Sequence, residues 1–357
     1  MMLKKIFRMR KLLIKPSYVV FHITGLCDSR CKMCFNWRNI SKKRLKEELT
    51  LDEIKKISQS FKDITYLTLG GGEPFLRKDI FEIVETFYDN NHIQFLSIPT
   101  NALRPKVVFA QTKKILDYCK DTIIKLSLSL DGINRDHDKI RGVKGNFKKL
   151  VETHDLLQQL NVYPNFELNI GTTFSHYNQD KMIKIYEFVK NNFNINLHQF
   201  TYARGLTREA IAKNVSPKKY QEFIHYLEND YKKSKGRKKL LRLFTALSVI
   251  TRRKVLKEVL NQKSGKKRSF NCVAGKYTIH IDQVGMVYPC EYLYKSIGNL
   301  RDYNYDIKKM LKLDKSKELL KLIKKKKCTC TWECVIQDGL IYEPSSYMKI
   351  LKNYFSY

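Results

Sequence analysis

Residues 18–34 read YVVFHITGLCDSRCKMC, a short β-rich run followed at once by three cysteines spaced C-x3-C-x2-C at Cys27, Cys31 and Cys34. The run is too short and too rich in β-branched and aromatic residues for a helix, and the glycine after it breaks the pattern. Working outward, the same order of strand, loop and helix recurs. Further strand patterns lie at 64–69, 93–98, 122–130, 165–173 and 196–202, with helical patterns near 51–61, 79–90, 106–119, 147–160 and 178–193. Strands alternating with helices imply βαβ units, a parallel sheet and right-handed crossovers. The strand runs read as apolar on both faces, the pattern expected when helices cover one side and a core fills the other. Six units fall short of the eight of a closed barrel. The expected fold is therefore α/β: a partial (β/α)6 barrel of parallel strands, followed by a small cysteine-rich C-terminal domain of a β-hairpin plus helix.

Composition bounds the rest. The chain has 357 residues, 43% hydrophobic and 29% charged, ordinary for a globular protein and too apolar for a disordered one. No apolar run reaches the ~20 residues needed to cross a bilayer, and no signal-peptide pattern is read, so a cytoplasmic, reduced setting is expected. The formal charge is +33, which implies an anionic partner. Residues 1–16 form a basic amphipathic segment, and 17–230 the barrel. A basic helical linker or insertion covers 231–268, with fifteen Lys or Arg against Glu258 alone over 232–268. A cysteine-rich unit at 269–340 and a tail at 341–357 complete the division.

In a reducing compartment clustered cysteines bind metal more readily than they pair. Three thiolates can hold three irons of a [4Fe–4S] cubane and leave the fourth without a protein ligand. A structural zinc site wants four ligands. The nearest fourth donor, His22, lies in the apolar strand and reads as a core residue.

The loop resembles the defining motif of the radical S-adenosylmethionine (SAM) superfamily, with Met33 where an aromatic often precedes the last cysteine and Phe35 just after it. That resemblance implies a cluster-bound SAM, reductive cleavage to a 5′-deoxyadenosyl radical and hydrogen abstraction from a substrate. Further stretches carry it along the chain. Gly70-Gly71-Gly72-Glu73 after the second strand matches the family's GGE motif, which implies that Gly71, Gly72 and Glu73 meet the amino end of SAM. Thr100-Asn101-Ala102 is similar to a T-N-G, with Asn101 carried over as a SAM contact; alanine in the glycine's place argues against a positive φ there. Ser127-Leu128-Ser129-Leu130-Asp131-Gly132 resembles the family's S-L-D-G stretch. It places Ser129 at the SAM ribose or carboxylate and Asp131, as the candidate catalytic residue, in the substrate chamber. His137, Asp138 and Arg141 are expected to order the next loop, and Arg204 to meet the SAM carboxylate.

A second set of cysteines, Cys272, Cys290, Cys328, Cys330 and Cys334, accompanies a hairpin pattern at 277–288 and Ile297-Gly298-Asn299-Leu300. This looks like the opening of SPASM and twitch domains, which hold auxiliary iron–sulfur clusters. Five cysteines suffice for one such cluster, expected as [4Fe–4S] on Cys272, Cys290 and Cys334 plus Cys328 or Cys330. Structural zinc is the competing occupant there. Cys119, late in a helix, reads as a buried hydrophobe.

The resemblance thus implies a radical SAM oxidoreductase or maturase with an electron donor such as a ferredoxin or flavodoxin. Its favoured substrate is an acidic peptide or protein side chain, to be oxidised, cross-linked or epimerised. The alternative is a lipid-linked or glycan-type substrate reached by peripheral contact at the inner membrane face through the basic segments. Nucleic-acid binding is weakly supported, because Phe244 is the only aromatic inside the basic run at 232–268. A structural iron–sulfur protein is the non-enzymatic alternative.

Overall fold

The computed structural model describes residues 17–233, 254–325, 328 and 330–341. The basic segment at 1–16, most of the basic insertion and the tail from 342 lie outside these, so the membrane-anchor expectation is not addressed by them.

Six strands follow the anticipated order: β1 (Tyr18–Thr24), β2 (Tyr66–Gly71), β3 (Phe95–Thr100), β4 (Ile123–Ser129), β5 (Phe166–Phe174) and β6 (Leu197–Tyr202). All pair in parallel with their neighbours. Helices Leu51–Ser60, Ile80–Asn91, Pro105–Tyr118, Asn146–Leu157 and Met182–Asn192 form the connections. The first opens with a capping box, in which Thr50 accepts from the Glu53 amide and Glu53 reaches back to the Thr50 amide. Strands β2 and β3 end about two residues later than the sequence pattern suggests. Gly70 and Gly71 remain part of β2 because they pair with His22 and Thr24 of β1, across a register shift.

The two faces of this sheet differ, which corrects the expectation of apolar residues on both. Val19, Phe21 and Ile23, Leu67 and Leu69, Leu96 and Ile98, Leu126 and Leu128, and Leu168 and Ile170 are buried in one core with the helices. Toward the C-terminal ends of the strands the alternate positions are mostly polar or small and run in rows, while Tyr18, Val20, Tyr66 and Phe95 make the other end apolar or aromatic. Thr68 pairs with Ser97, Ser97 with Lys125, and Lys125 with Glu167. Ser129 pairs with Gly171 and Gly171 with Gln199 in another row. A face built this way solvates a polar ligand rather than a hydrophobic core.

The C-terminal hairpin joins this sheet instead of folding apart from it. Strand β7 (Thr278–Ile281) lies parallel to β1, pairing Val20 with His280, and β8 (Met286–Tyr288) and β9 (Gly298–Asn299) follow antiparallel. The result is one nine-stranded sheet in the order β6-β5-β4-β3-β2-β1-β7-β8-β9. Ile279, Ile281, Val287 and Leu300 belong to the same core as the barrel. A second core of Val20, Val273, Ala274, Ile323, Cys330, Trp332 and Val335 underlies the cysteine-rich part.

A bidentate ion pair fixes the far edge. Arg301 Nε and Nη2 donate to Glu53 Oε1 and Oε2 at 2.6 and 3.0 Å. The Arg301 hydrogen bond holds the Glu53 carboxyl down at about 2. The folded value lies below the unfolded one, so this stabilisation is present above pH ~4.5 and is lost as pH falls toward 2. Arg301→Ala should cost about 1.5–3 kcal/mol at pH 7. In urea titrations the difference from wild type should shrink steadily between pH 5 and pH 2.

Candidate active site

The cysteine loop leaves the C-terminal end of β1 and is held by backbone hydrogen bonds from three directions. Gly72 N donates to Thr24 O and Glu73 N to Leu26 O. From a second side Arg30 N and Lys32 N donate to Arg141 O and Ile140 O, and from a third Arg208 N donates to Cys34 O. Met33 is buried against Ile140, Ala203 and Ala212, filling the place expected of an aromatic. Asp28 is tied by Asn101 Nδ2 at 2.7 Å and by Arg104 Nε at 3.0 Å.

The three thiols sit in an environment that disfavours their free ionisation. Burial pushes Cys27 up to about 12 and Cys34 to about 11, and raises Cys31, while the nearby Arg141 cation opposes each shift. Buried thiols beside a fixed cation become thiolates when a metal supplies the remaining charge. Among the described residues only His22, His280 and Glu291 bring three metal-binding donors within 4.8 Å of one another. Three thiolates suit three irons of a cubane, whereas a structural zinc wants four ligands. The donor set fits a [4Fe–4S] cluster with one iron left to SAM.

The glycine–glutamate turn packs against the cysteine loop. Gly71 has φ +113°, and a Cβ on it would lie 2.4 Å from Thr24 O; at Gly72 a Cβ would lie 1.9 Å from Leu26 O. The glycines therefore let β2 lie against the backbone of the cysteine loop. Glu73 is buried in this turn. Its carboxylate accepts from Thr100 Oγ1 at 2.8 Å, Asn101 N at 2.7 Å and Phe75 N at 3.3 Å, and burial raises it to about 7. Asn101 in turn is spent on Asp28 and on the Leu103 amide. Both residues position the cysteine loop. Ala102 does adopt a positive φ, +61°, contrary to expectation, and its 0% exposure shows why the strain is held: the turn is packed shut.

Ser129 ends β4 half-buried on the polar face, level with Gly171. Asp131 is 1% exposed, with Oδ2 on Arg141 Nη1 at 2.9 Å and Oδ1 accepting from Thr173 N at 2.7 Å. Residues 135–141 form a helix where a loop was expected. His137 accepts from the Asp131 amide and Asp138 from the amides of Gly145 and Phe147. Arg141 is more than an ordering residue: its guanidinium is the buried cation behind Cys27 and Cys31, a role its sequence neighbours do not signal.

Four of the C-terminal cysteines meet. Cys272, Cys290, Cys328 and Cys330 line one small cavity with Arg268 and Trp332. Arg268 Nη1 lies 3.4 Å from Cys328 Sγ, and the Trp332 amide donates to Cys330 Sγ. Burial raises Cys272 and Cys330 and pushes Cys290 up to about 12. Cys328 and Cys330 are both present, where one of the two was expected; the side chain of Cys334 lies outside the described part. Cys119 is buried in the main core.

A cavity of about 220 Å³ separates the two cysteine sets, its wall including His22, Phe35, Asn36, His280, Cys290 and Glu291. Of the cysteines, Cys290 lines the cavity, and Phe35, the residue after Cys34, lines it as well. Arg204 does not stand alone. Its Nη2 donates to Glu291 Oε2 at 3.1 Å, its Nη1 lies 3.8 Å from Glu333, and its guanidinium lies over Phe35. Glu291 and Glu333 were missed from sequence, although each adjoins a cysteine.

A parallel α/β sheet with a C-x3-C-x2-C loop at the C-terminal end of its first strand defines a class of enzymes. Residues 21–189, just under half of the chain, match the model of the radical SAM superfamily, whose members use a [4Fe–4S] cluster and SAM. It is similar to the AdoMet-dependent heme synthase of Methanosarcina barkeri, 26% identical over 294 residues and covering 80% of each chain. It is also similar to the antilisterial bacteriocin subtilosin biosynthesis protein AlbA of Bacillus subtilis, 23% identical over 300 residues, covering 82% of this chain and 59% of that one. Among solved structures, native anSMEcpe with bound AdoMet superposes at a TM-score of 0.60 with 20% identity, covering 96% and 98% of the two chains. Streptococcus suis SuiB bound to S-adenosylmethionine gives 0.60 with 17% identity, covering 96% and 78%. These two share the fold, including its C-terminal part. No helix among the described residues is long and apolar enough to cross a membrane.

Proposed function

We propose that this radical SAM enzyme abstracts hydrogen from an acidic peptide or protein side chain held in the cavity between its two cysteine sets. The observation that carries the reading is the position of that cavity, bounded by Phe35 beside Cys34 on one side and by Cys290 on the other. A substrate there meets both metal centres. The related AlbA is a bacteriocin biosynthesis protein, and structures of similar fold hold the precursor peptide SuiA and the Cp18Cys peptide. The net charge of +33 favours an acidic partner.

In this reading Cys27, Cys31 and Cys34 hold the SAM cluster, and Cys272, Cys290, Cys328 and Cys330 hold one auxiliary [4Fe–4S] cluster. The bound cluster and SAM supply the radical chemistry, and the protein supplies placement and exclusion of water. Gly71 and Gly72 seat the cysteine loop; Glu73 and Asn101 lock it to the β3 turn. Ser129 and its row on the polar face cradle the nucleoside. Arg204 and Glu291 shape the substrate side. Cys272, Cys290, Cys328 and Cys330 would fill all four positions of an auxiliary cluster, which would then supply an electron acceptor rather than a substrate-binding iron, with a ferredoxin or flavodoxin as the priming donor.

The similarity to a heme synthase over 80% of both chains favours one second reading, a carboxylate-bearing tetrapyrrole as the acidic substrate. The two separate by isotope transfer. Holoenzyme given SAM, a reductant and a deuterated acidic peptide library should place deuterium in 5′-deoxyadenosine. Deuterium arriving only from a labelled heme precursor would replace the peptide by the tetrapyrrole.

A further inference from the structure

We propose that His22, His280 and Glu291 form a binding site for one divalent transition-metal ion on the wall of the cavity, with its open coordination positions facing the cavity. The site is separate from both cysteine sets and does not depend on the peptide reading.

The topology creates it. His22 and His280 stand on the adjacent parallel strands β1 and β7, two positions apart in register, and their rings lie 4.2 Å apart at 63°. Glu291 arrives from the segment after β8 and places Oε1 3.2 Å from His22 Nε2. One donor atom from each residue lies within 4.8 Å of the others. A tetrahedral site needs donors about 3.3 Å apart, so side-chain shifts on the order of 1 Å close it around an ion.

Two features favour a ligand over a plain core contact. Both histidines are more than nine-tenths buried, and His280 Nε2 finds no hydrogen-bond partner among the described residues, while His22 turns Nε2 toward Glu291. Buried imidazole nitrogens are normally satisfied, and coordination to a metal satisfies a ring nitrogen. The carboxylate is also oriented: Arg204 takes Glu291 Oε2 and leaves Oε1 toward the imidazoles, as outer partners do for ligating carboxylates. Two nitrogens and one carboxylate oxygen select Zn²⁺, Fe²⁺ and their first-row neighbours over Mg²⁺ or Ca²⁺. Three protein ligands leave positions for water or a donor atom of the substrate, as in metal sites that act on bound molecules.

Zinc is the probe, because iron then reports the clusters separately. Cluster-reconstituted full-length protein is dialysed against zinc and its metals counted. We expect one zinc per chain without loss of iron. His22→Gln, His280→Gln and Glu291→Gln should each weaken zinc binding more than about 10-fold, the least loss expected even for an outer partner, at unchanged iron content. No zinc uptake by the wild type, or equal uptake by all three variants, overturns the site. Zinc-edge X-ray absorption on the wild type tests it without any variant: nitrogen and oxygen neighbours are expected, and sulfur neighbours would assign the zinc to cysteines and end the proposal.

Discussion

Replacing Gly72 by alanine is expected to cost the enzyme its SAM-binding cluster. A Cβ there would lie 1.9 Å from Leu26 O and 2.5 Å from Leu26 C, and both are backbone atoms that cannot swing aside. Leu26 precedes Cys27, and its carbonyl accepts the Glu73 amide. The clash therefore moves the first cysteine and breaks the bond that registers the loop on β2. Displacement by ~1 Å at a reacting centre is enough for a loss of about 100-fold, and here the metal ligand itself is displaced. Iron per chain should fall by one cluster, and 5′-deoxyadenosine formation should drop at least about 100-fold. Gly70→Ala is the control. Its Cβ meets only the His22 ring, Cδ2 at 3.5 Å and Nε2 at 3.9 Å, both ordinary contacts, so it should keep wild-type iron. Loss of iron in both variants would mean that the turn is generally fragile and that the Leu26 contact is not the cause.

The second large effect concerns Asp131 and Arg141. Both are buried, and they pair at 2.9 Å beneath the cysteine loop. Removing one partner strands the other charge, which costs about 3–5 kcal/mol. Asp131→Leu and Arg141→Met should each lose that much in anaerobic denaturation, and the double variant should regain most of it. A purely structural pair would stop there. Arg141 also stands close enough to Cys27 and Cys31 to oppose the rise in their pKa, and Asp131 close enough to Cys31 to add to it. Potentiometric titration should therefore give shifts of opposite sign. Arg141→Met lowers the midpoint of the SAM-binding cluster by removing a cation, and Asp131→Asn raises it by removing an anion. Shifts of the same sign would leave the pair a structural role only.

The sequence was most legible where chemistry and periodicity coincide. Each strand–loop–helix unit declared itself through its own apolar pattern, and the cysteine loop through its spacing. Local patterns could not say what a side chain meets across the sheet. Glu73 and Asn101 follow strand ends, where ligand contacts are expected, yet their partners are each other's turns and Asp28. Asp131 looked poised for chemistry because it ends a strand; its partner Arg141 is ten residues on, across a helix that no apolar stripe announces. The polar face was hidden because Tyr, Thr and Ser suit strands as well as Val does, so the alternation was masked. The attachment of β7 to β1 joins residues some 260 positions apart, and nothing local encodes it. For the same reason His22 read as a core histidine, since His280 and Glu291 become its neighbours only through that pairing.

Cys27, Cys31 and Cys34 are proposed to hold a cluster that reductively cleaves SAM. The most direct measurement is 5′-deoxyadenosine formed by anaerobically reconstituted protein given SAM and dithionite or a reduced flavodoxin, beside the Cys27→Ala variant. The account predicts product from the wild type and none above background from the variant, with the C-terminal iron retained in both. Product at the same level in both, or in neither under either reductant, would contradict it.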